Sequence, residues 1–320
     1  MNAIKKIIGV CGLLAGGLLC HGQEYTITNQ YHFHYYLLNP ALAGAAECTH
    51  FMLTHKQQWV GMKEAPYTTA LSFQTRTKSR IGVGAYLYND RNGWSYQQGG
   101  QATIAYHIPL SKGNRYTKSP TLDRQLSFAA SMNFYRYSLS DKVIDQSKMD
   151  GDAINEKNGF YPNANFGVFY QDYKFFTGLT LTNLIPVEIS MFGEDEPKRP
   201  FSFFWQVGYA FGCGRNTSFE PSLVFKMDAD SRKQIDVNVR FIQHREDQDL
   251  SWWAGVGYKH NLDDGGGQSL VLLPNATVRI GKFRVGYAFN LDLNKLVSHN
   301  YGTHELMLGY SFCHTSKFCR

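Results

Sequence analysis

The sequence predicts an all-β protein, an antiparallel transmembrane outer-membrane β-barrel of about 14 strands with periplasmic termini. Three observations lead to this prediction. Apolar side chains alternate with polar or small ones along most of the chain, and aromatic residues make up 15% of it. Beyond residue 22, no run approaches the roughly 20 apolar residues that a membrane-spanning helix needs.

The first 22 residues have the composition of a secretory signal peptide. Lys5 and Lys6 precede an apolar, glycine-rich run that ends near the small residue Gly22. This order is typical of a signal that is cleaved after export, here near Gly22. Acylation of Cys20, as in a lipoprotein, would need a small residue before that cysteine, and Leu19 stands there. We therefore assign residues 1–22 to a signal peptide.

Charge and cysteine content are ordinary for an exported protein. The formal net charge is +6, and it falls when the two lysines of the signal are removed, so nucleic acid is not an expected partner. Export permits disulfides. Beyond Gly22, Cys313 and Cys319 are the nearest pair of cysteines, with unpaired thiols as the alternative. The chain has no C-x-x-C motif, which argues against structural zinc.

Alternation with period two marks the strands of the predicted barrel, residues 48–313, which a tail of residues 314–320 follows. In residues 283–290, aromatic and aliphatic side chains alternate with Arg, Gly, Ala and Asn. Successive side chains of a strand point to opposite faces, so each such segment has one apolar face and one polar or small face. The predicted strands are 48–58, 67–77, 81–89, 98–108, 125–137, 163–171, 174–182, 201–212, 217–226, 234–243, 250–259, 269–280, 282–290 and 303–313.

The lengths of the predicted connections favour a barrel over a soluble β-sandwich. Outer-membrane barrels have short periplasmic turns and longer outer loops. Connections after even-numbered strands are mostly short, and those after odd-numbered strands, such as 90–97, 138–162 and 227–233, are longer. One connection breaks the rule: residues 109–124 are long and basic on the predicted periplasmic side. We expect partner contacts there, with the candidate residues Lys112, Arg115, Lys118 and Arg124.

Nothing in the sequence indicates catalysis, a cofactor or a metal site. The chain has no G-x-S-x-G motif, and no serine, histidine and acid are visibly paired. Histidines cluster near the start of the barrel, and their spacing could bind metal. No carboxylate or thiol is fixed beside them, so we expect aromatic-rich packing instead. The four histidines are His32, His34, His50 and His55.

Short motifs resemble a known family. After residue 22 the chain has Gln30-Tyr31, then Asn39-Pro40-Ala41 with Gly44, then Gln58-Trp59 with Gly61, and then Pro66. This order resembles the opening of the PorP/SprF family, outer-membrane proteins of the type IX secretion system, and weaker matches continue along the chain. Lys56 departs from the family pattern, which usually has Arg there and so offers a planar fork of donors.

The resemblance implies a non-enzymatic barrel that supports export or anchoring of large surface proteins. The family's partners are periplasmic lipoproteins, an OmpA-like peptidoglycan-binding adaptor and, in gliding bacteria, a secreted adhesin. A diffusion porin or substrate transporter is the alternative, and a barrel that adheres through its outer loops is a third. The first function predicts an occluded lumen, whereas a porin needs an open one.

The segment before the barrel, residues 23–47, is expected to lie at or inside the periplasmic mouth. Asn39-Pro40 ends regular structure, because Pro disfavours the α region for the residue before it. Ala41 and Gly44 are small enough for backbones to pass closely. We expect these residues to hold a plug or docking strand, with a plain lead-in to the first strand as the alternative.

Overall fold

The computed structural model describes residues 30–46, 48–77, 80–110, 124–141, 158–187, 200–213, 216–245, 249–262, 270–292 and 300–313. In these ranges, no helix is long and apolar enough to cross a bilayer.

The described strands form one antiparallel sheet in which each strand pairs with the next. β15 also pairs with β1 over the whole of β1, so the sheet closes into a barrel. β8 and β9 are two pieces of one wall strand, interrupted at Ala210, so the barrel has 14 wall strands, as predicted. The strands are β1 (Cys48–Gln57), β2 (Tyr67–Arg76), β3 (Ile81–Asn92), β4 (Ser95–Pro109), β5 (Gln125–Leu139), β6 (Asn158–Asp172), β7 (Phe175–Thr182), β8 (Ser202–Tyr209), β9 (Phe211–Gly212), β10 (Thr217–Asp228), β11 (Lys233–Arg245), β12 (Leu250–Asn261), β13 (Leu270–Ile280), β14 (Phe283–Asp292) and β15 (Thr303–Cys313).

The two faces of the wall differ in the way a membrane requires. On β11, the outward Val237 and Val239 are 40% and 37% exposed, whereas the inward Asp236 and Asn238 are 0% and 3% exposed. The other strands repeat this alternation, with aromatic and aliphatic side chains outside and polar ones inside. A soluble sandwich would bury its apolar faces against each other. The apolar outer face therefore suits lipid, as in an outer-membrane barrel.

The barrel has two distinct ends. We call the end that holds Cys48 and Cys313 the terminal end and the opposite one the loop end. Turns at the terminal end are short, for example at residues 173–174 and 281–282, and the connection 110–124 is the long exception. Cys48 is disulfide-bonded, and the exposed Cys213 is free. The predicted pairing of Cys313 with Cys319 involves a residue outside the described ranges.

Two predicted outer loops are wrong. β3 and β4 continue through residues 90–97, and only Gly93 and Trp94 connect them, because Gly93 adopts a φ of 59°. The connection at 227–233 shrinks to residues 229–232. There, Asp228 accepts hydrogen bonds from the backbone N of Asp230 (3.1 Å) and of Arg232 (3.0 Å), which tightens the turn. At both places, residues that the sequence assigns to a loop extend the neighbouring strands.

The wall is uneven at the loop end. β4, β5 and β6 have 15 residues each, whereas β7 and β8 have 8. Residues 158–165 of β6 pair with β5 and have no partner on β7. The loop-end parts of β3–β6 therefore form a raised wall beside a lower rim.

Candidate functional site

Residues 30–46, which we call the luminal segment, lie inside the barrel. They contain two short 3-10 turns, Tyr35–Leu37 and Pro40–Leu42. Their side chains contact strands on all sides of the closed wall, which is possible only from within the lumen. The contacts include Gln30 with Thr54 on β1, Tyr36 with Thr103 on β4, Asn39 with the Val168 carbonyl on β6, Tyr31 with Asp236 on β11 and Phe33 with Trp253 on β12.

Asn39 both shapes the luminal segment and fastens it. Its Oδ1 accepts a hydrogen bond from the backbone N of Ala41 at 2.9 Å, which caps the turn that begins at Pro40. This is the usual role of an N-cap asparagine. Its Nδ2 donates to the carbonyls of Val168 (3.1 Å) and Leu179 (3.3 Å) on β6 and β7. Asn39 is fully buried, so each of these bonds satisfies a group that water cannot reach.

Glycines of the wall make room for the Asn39-Pro40-Ala41 motif. A Cβ on Gly167 would overlap Asn39 Oδ1 and lie 2.9 Å from Pro40 Cγ. A Cβ on Gly82 would overlap the Ala43 carbonyl, which accepts a hydrogen bond from His107 Nε2 at 2.9 Å. Gly44 has a φ of 66° and lies against Gly82 and the Thr75 carbonyl. The segment and the wall thus touch backbone to backbone, which only glycine permits.

A buried ion pair holds the other end of the segment. Lys226 Nζ on β10 lies 3.1 Å from Asp236 Oδ2 on β11, and both side chains are fully buried. Tyr31 donates its hydroxyl to the same carboxylate oxygen at 3.0 Å and accepts from Asn238 Nδ2 at 3.0 Å. Charges removed from water need such additional hydrogen bonds. The tyrosine of the luminal segment thus completes a polar site on the wall.

Arg240 of β11 forms a second clamp. Its guanidinium lies 4.7 Å from the centre of the Tyr35 ring and 4.8 Å from the centre of the Trp253 ring. It also donates to the His32 carbonyl at 3.2 Å and lies 3.7 Å from Glu220 Oε1. A cation between two aromatic faces out of water is strongly held. Arg240 therefore joins the luminal segment to β10, β11 and β12.

His34 is held as a neutral imidazole. Gln74 Nε2 donates to His34 Nε2 at 2.9 Å, so the proton is on Nδ1, which lies 3.1 Å from Ser72 Oγ. Burial first, and then the charges of His50 and Arg284, lower the pKa of His34 to about 3. Burial and the nearby Lys259, Arg240, Lys226 and Lys56 also lower the pKa of His32. Neither histidine is suited to carry a proton in the docked segment.

Acid should therefore loosen the luminal segment. Docked His34 has a pKa of about 3, against about 6.5 when it is free in solution. The lowered pKa contributes docking stability that is complete above pH 6.5 and is lost as the pH falls below it. The loss is about 1.4 kcal/mol per pH unit, or about 2 kcal/mol at pH 5, and His32 adds to it. Hydrogen exchange in detergent should show lower protection of residues 30–46 at pH 5 than at pH 7.5.

His34→Asn provides the control for this pH effect. It removes one titrating group, so the difference in protection between the two pH values should shrink relative to wild type. Equal protection factors at both pH values in the wild-type chain would contradict the assignment of neutral, buried histidines.

The second motif lies elsewhere, in the connection between β1 and β2 at the loop end. Gln58 N donates to the Pro66 carbonyl at 2.8 Å and closes this loop. Trp59 Nε1 donates to Asp292 Oδ2 at 3.1 Å, and Gly61 packs against the Tyr301 ring. The motif ties the loop to the connection between β14 and β15, across the β1–β15 closure. The structure does not bring it together with Asn39, Pro40, Ala41 and Gly44.

The basic connection is only partly described. Lys112, Arg115 and Lys118 lie outside the described residues. Arg124 is 52% exposed and pairs with Asp172 at the end of β6, with 3.0 Å between Nε and Oδ2. This surface pair fixes Arg124 beside the wall, at a modest energy that water and salt weaken.

Sequence reasoning missed the wall residues that hold the luminal segment. The alternation of side chains along each strand places Lys226, Asp236 and Arg240 on the polar face, but it does not show what they contact. The candidate histidines diverge: His32 and His34 face the lumen, His50 bonds to Ser311, and His55 bonds to Thr69 on the outer face. Among the described residues, no group of three metal-ligating side chains is present.

Comparisons with known proteins agree with this architecture. The family model for the type IX secretion system membrane protein PorP/SprF matches residues 20–310. None of the curated proteins compared with the chain matches it. Among solved structures, the CymD monoaromatic hydrocarbon channel is 11% identical, with a TM-score of 0.50 over 91% of this chain and 94% of that one.

Two further solved barrels are similar. The toluene transporter TodX of Pseudomonas putida is 10% identical, covering 90% of this chain and 93% of that one, with a TM-score of 0.48. The toluene transporter TbuX of Ralstonia pickettii is 11% identical, covering 85% and 91%, with a TM-score of 0.49. At these identities a likeness concerns the fold alone. The family match spans nearly the whole chain, and the chain therefore belongs to the PorP/SprF family of type IX secretion outer-membrane β-barrels.

Proposed function

We propose that this barrel is a non-enzymatic component of the type IX secretion system that works by binding partners and supports export or anchoring of large surface proteins. The observation that carries the proposal is the luminal segment, which occupies the lumen and bonds to the wall on all sides. A lumen that is occupied in this way serves a docking or anchoring protein better than a diffusion channel.

The inward charges also favour partner binding over the porin alternative. A porin displays its luminal charges to water, where they set selectivity. Here Lys226, Asp236 and Glu305 are at most 2% exposed, and Arg240 is 8% exposed. These charged side chains are paired with one another or covered by the luminal segment, so they cannot interact with a solute that passes through the barrel.

The terminal end is the proposed docking face for periplasmic partners, which would be the system's lipoproteins and an OmpA-like peptidoglycan-binding adaptor. Gly44 leaves the lumen there, beside Gly82 at the start of β3. The basic connection 110–124 opens at the same end. The cargo would be a secreted surface protein or adhesin. In this proposal, residues 1–22 are a signal peptide cleaved near Gly22, and residues 23–47 form the plug.

Deleting residues 24–38 tests the proposal. This removes Tyr31, His34 and the contacts of Tyr35 with Arg240, so the lumen should open. In planar bilayers, the wild-type barrel should give negligible conductance and the deletion variant an ohmic one. In mild detergent, the wild type should co-purify with periplasmic partners and the variant should lose them. A sizeable wild-type conductance without any co-purifying protein would favour a porin instead.

Charge reversal in the connection 110–124 tests its role in docking separately from that of the luminal segment. With Lys112, Arg115 and Lys118 changed to Glu, the lumen should stay closed, and partner capture at physiological salt should fall. Lys63→Glu, at the loop end, is the matched control and should leave capture unchanged. If the triple variant captured periplasmic partners as well as the wild type does, the connection 110–124 would not be part of the docking face.

A further inference from the structure

A groove of about 370 Å³ lies on the outer face of the barrel, at the loop end of β3–β6. It is where the raised wall begins. We call it the outer groove, and neither the luminal segment nor the proposed docking face at the terminal end includes it. Its floor is formed by the apolar side chains of Leu87, Phe134 and Phe160, and its rim by Asn89, Gln98 and Arg136. Leu87 and Phe134 lie two residues nearer the terminal end than Asn89 and Arg136, and Phe160 lies beside Arg136 in the β5–β6 register.

The floor is apolar and open to the bilayer. Leu87 is 60% exposed and Phe160 is 66% exposed. Phe134 and Phe160 stack, with ring centres 6.0 Å apart and an interplanar angle of 29°. Gly100 contributes no side chain between Leu87 and Phe134, and a Cβ there would lie 2.7 Å from Leu87 Cδ2. Leu87 and Phe134 thus close over Gly100 and make a continuous apolar surface against which an acyl chain can pack.

The rim offers a positive charge. Arg136 is exposed and lies opposite Gln98 in the β4–β5 register. Gln98 Nε2 donates to Asn89 Oδ1 at 3.0 Å, so a hydrogen-bonded amide pair lies beside the guanidinium. In the described part of the chain, Arg136 has no hydrogen bond or ion pair. A guanidinium binds phosphate through two parallel hydrogen bonds.

The direction of the groove indicates which lipid it faces. The terminal end carries the short turns, and barrels of this kind turn their short connections to the periplasm and their long ones outward. The loop end therefore faces outward, and the apolar floor of the groove lies at the level of the outer leaflet. A cation at the edge of an apolar floor at that level complements a phosphate that is joined to an acyl chain.

We propose that the outer groove binds a lipopolysaccharide molecule of the outer leaflet, with one acyl chain along Leu87, Phe134 and Phe160 and a lipid A phosphate on Arg136. The site is independent of the proposed partner binding. A lipid held there would orient the raised wall relative to the membrane surface.

Native mass spectrometry of the detergent-purified barrel tests this proposal, with lipopolysaccharide and phosphatidylethanolamine offered separately. The wild type should retain lipopolysaccharide after gel filtration. Arg136→Ala should lower its occupancy at least about tenfold, as expected for a lost charge-assisted hydrogen bond. Arg136→Lys should restore part of it, and Phe160→Ala should lower it while the charge stays. Lys63→Ala, which removes a loop-end cation outside the groove, should bind as wild type.

Two results would overturn the proposal. One is equal lipopolysaccharide retention by the wild type and Arg136→Ala, which would mean general lipid contact only. The other is tighter retention of phosphatidylethanolamine than of lipopolysaccharide by the wild type. Heat-modified mobility on gels checks that every variant is folded, which an exposed residue such as Arg136 should not change.

Discussion

Asp236→Ala should destabilise the folded barrel by about 3–5 kcal/mol, which is the usual cost of removing one partner from a buried ion pair. It leaves Lys226 fully buried without the carboxylate that lies 3.1 Å away. It also removes the acceptor of the Tyr31 hydroxyl. Urea unfolding of the barrel in lipid vesicles, followed by tryptophan fluorescence, should show the lower midpoint. The conductance of the folded fraction should rise, because Tyr31 loses one of its two hydrogen bonds to the wall.

Two further variants make the ion-pair prediction specific. Asp236→Ala with Lys226→Met removes both charges and should recover most of the lost stability, because an apolar pair of similar volume often replaces a buried ion pair without loss. Asp230→Ala is the control at the surface: Asp230 is 59% exposed and contacts Arg232, so its loss should cost at most about 1 kcal/mol. A shift for Asp236→Ala no larger than for Asp230→Ala would contradict the prediction.

Gly82→Ala should expel part of the luminal segment while the barrel stays folded. The new Cβ would overlap the Ala43 carbonyl and lie 2.6 Å from His107 Nε2. Overpacking of this kind costs about 1–3 kcal/mol when the structure must shift. The segment should move more readily than the wall, since the wall strands hold each other through their ladders of hydrogen bonds. Hydrogen exchange should increase in residues 30–46 and stay low in β2–β4.

Gly212→Ala is the matched control for this substitution. A Cβ on Gly212 meets no atom within 4 Å, so exchange of the luminal segment should equal that of wild type. If Gly82→Ala instead raised exchange equally in the segment and in β2–β4, the glycine would serve the wall itself rather than the docking of the segment.

The wall could be predicted from the sequence because the bilayer imposes a simple pattern. Alternation fixes which side chains face lipid, and each strand must be long enough to cross. The alternation did not predict the structure beyond the bilayer, where side chains no longer face lipid. Residues 90–97 were expected to form a loop, but above the bilayer β3 and β4 continue as a hairpin that Gly93 closes.

The contents of the lumen were much harder to predict. The alternation along β10 and β11 places Lys226 and Asp236 inside the barrel. Their partner Tyr31 is far away in the sequence, and no periodicity links it to them. Asn39 and Gly44 belong to a recognisable motif, whereas the wall glycines against which they pack, Gly167 and Gly82, look like ordinary strand glycines in the sequence. Contacts between a short irregular segment and a whole barrel leave no local trace in the sequence.

The luminal segment also bears on the order in which the barrel assembles. It precedes every wall strand in the chain, yet the Tyr31–Asp236 bond joins residues 205 positions apart and the His32–Arg240 bond joins residues 208 positions apart. Such distant pairings form slowly, because a long stretch of chain must be brought together first. The part of the barrel that leaves the ribosome first can therefore complete its contacts only late. Until β11 is in place, the segment remains available to chaperones of the envelope or to the machinery that inserts the barrel.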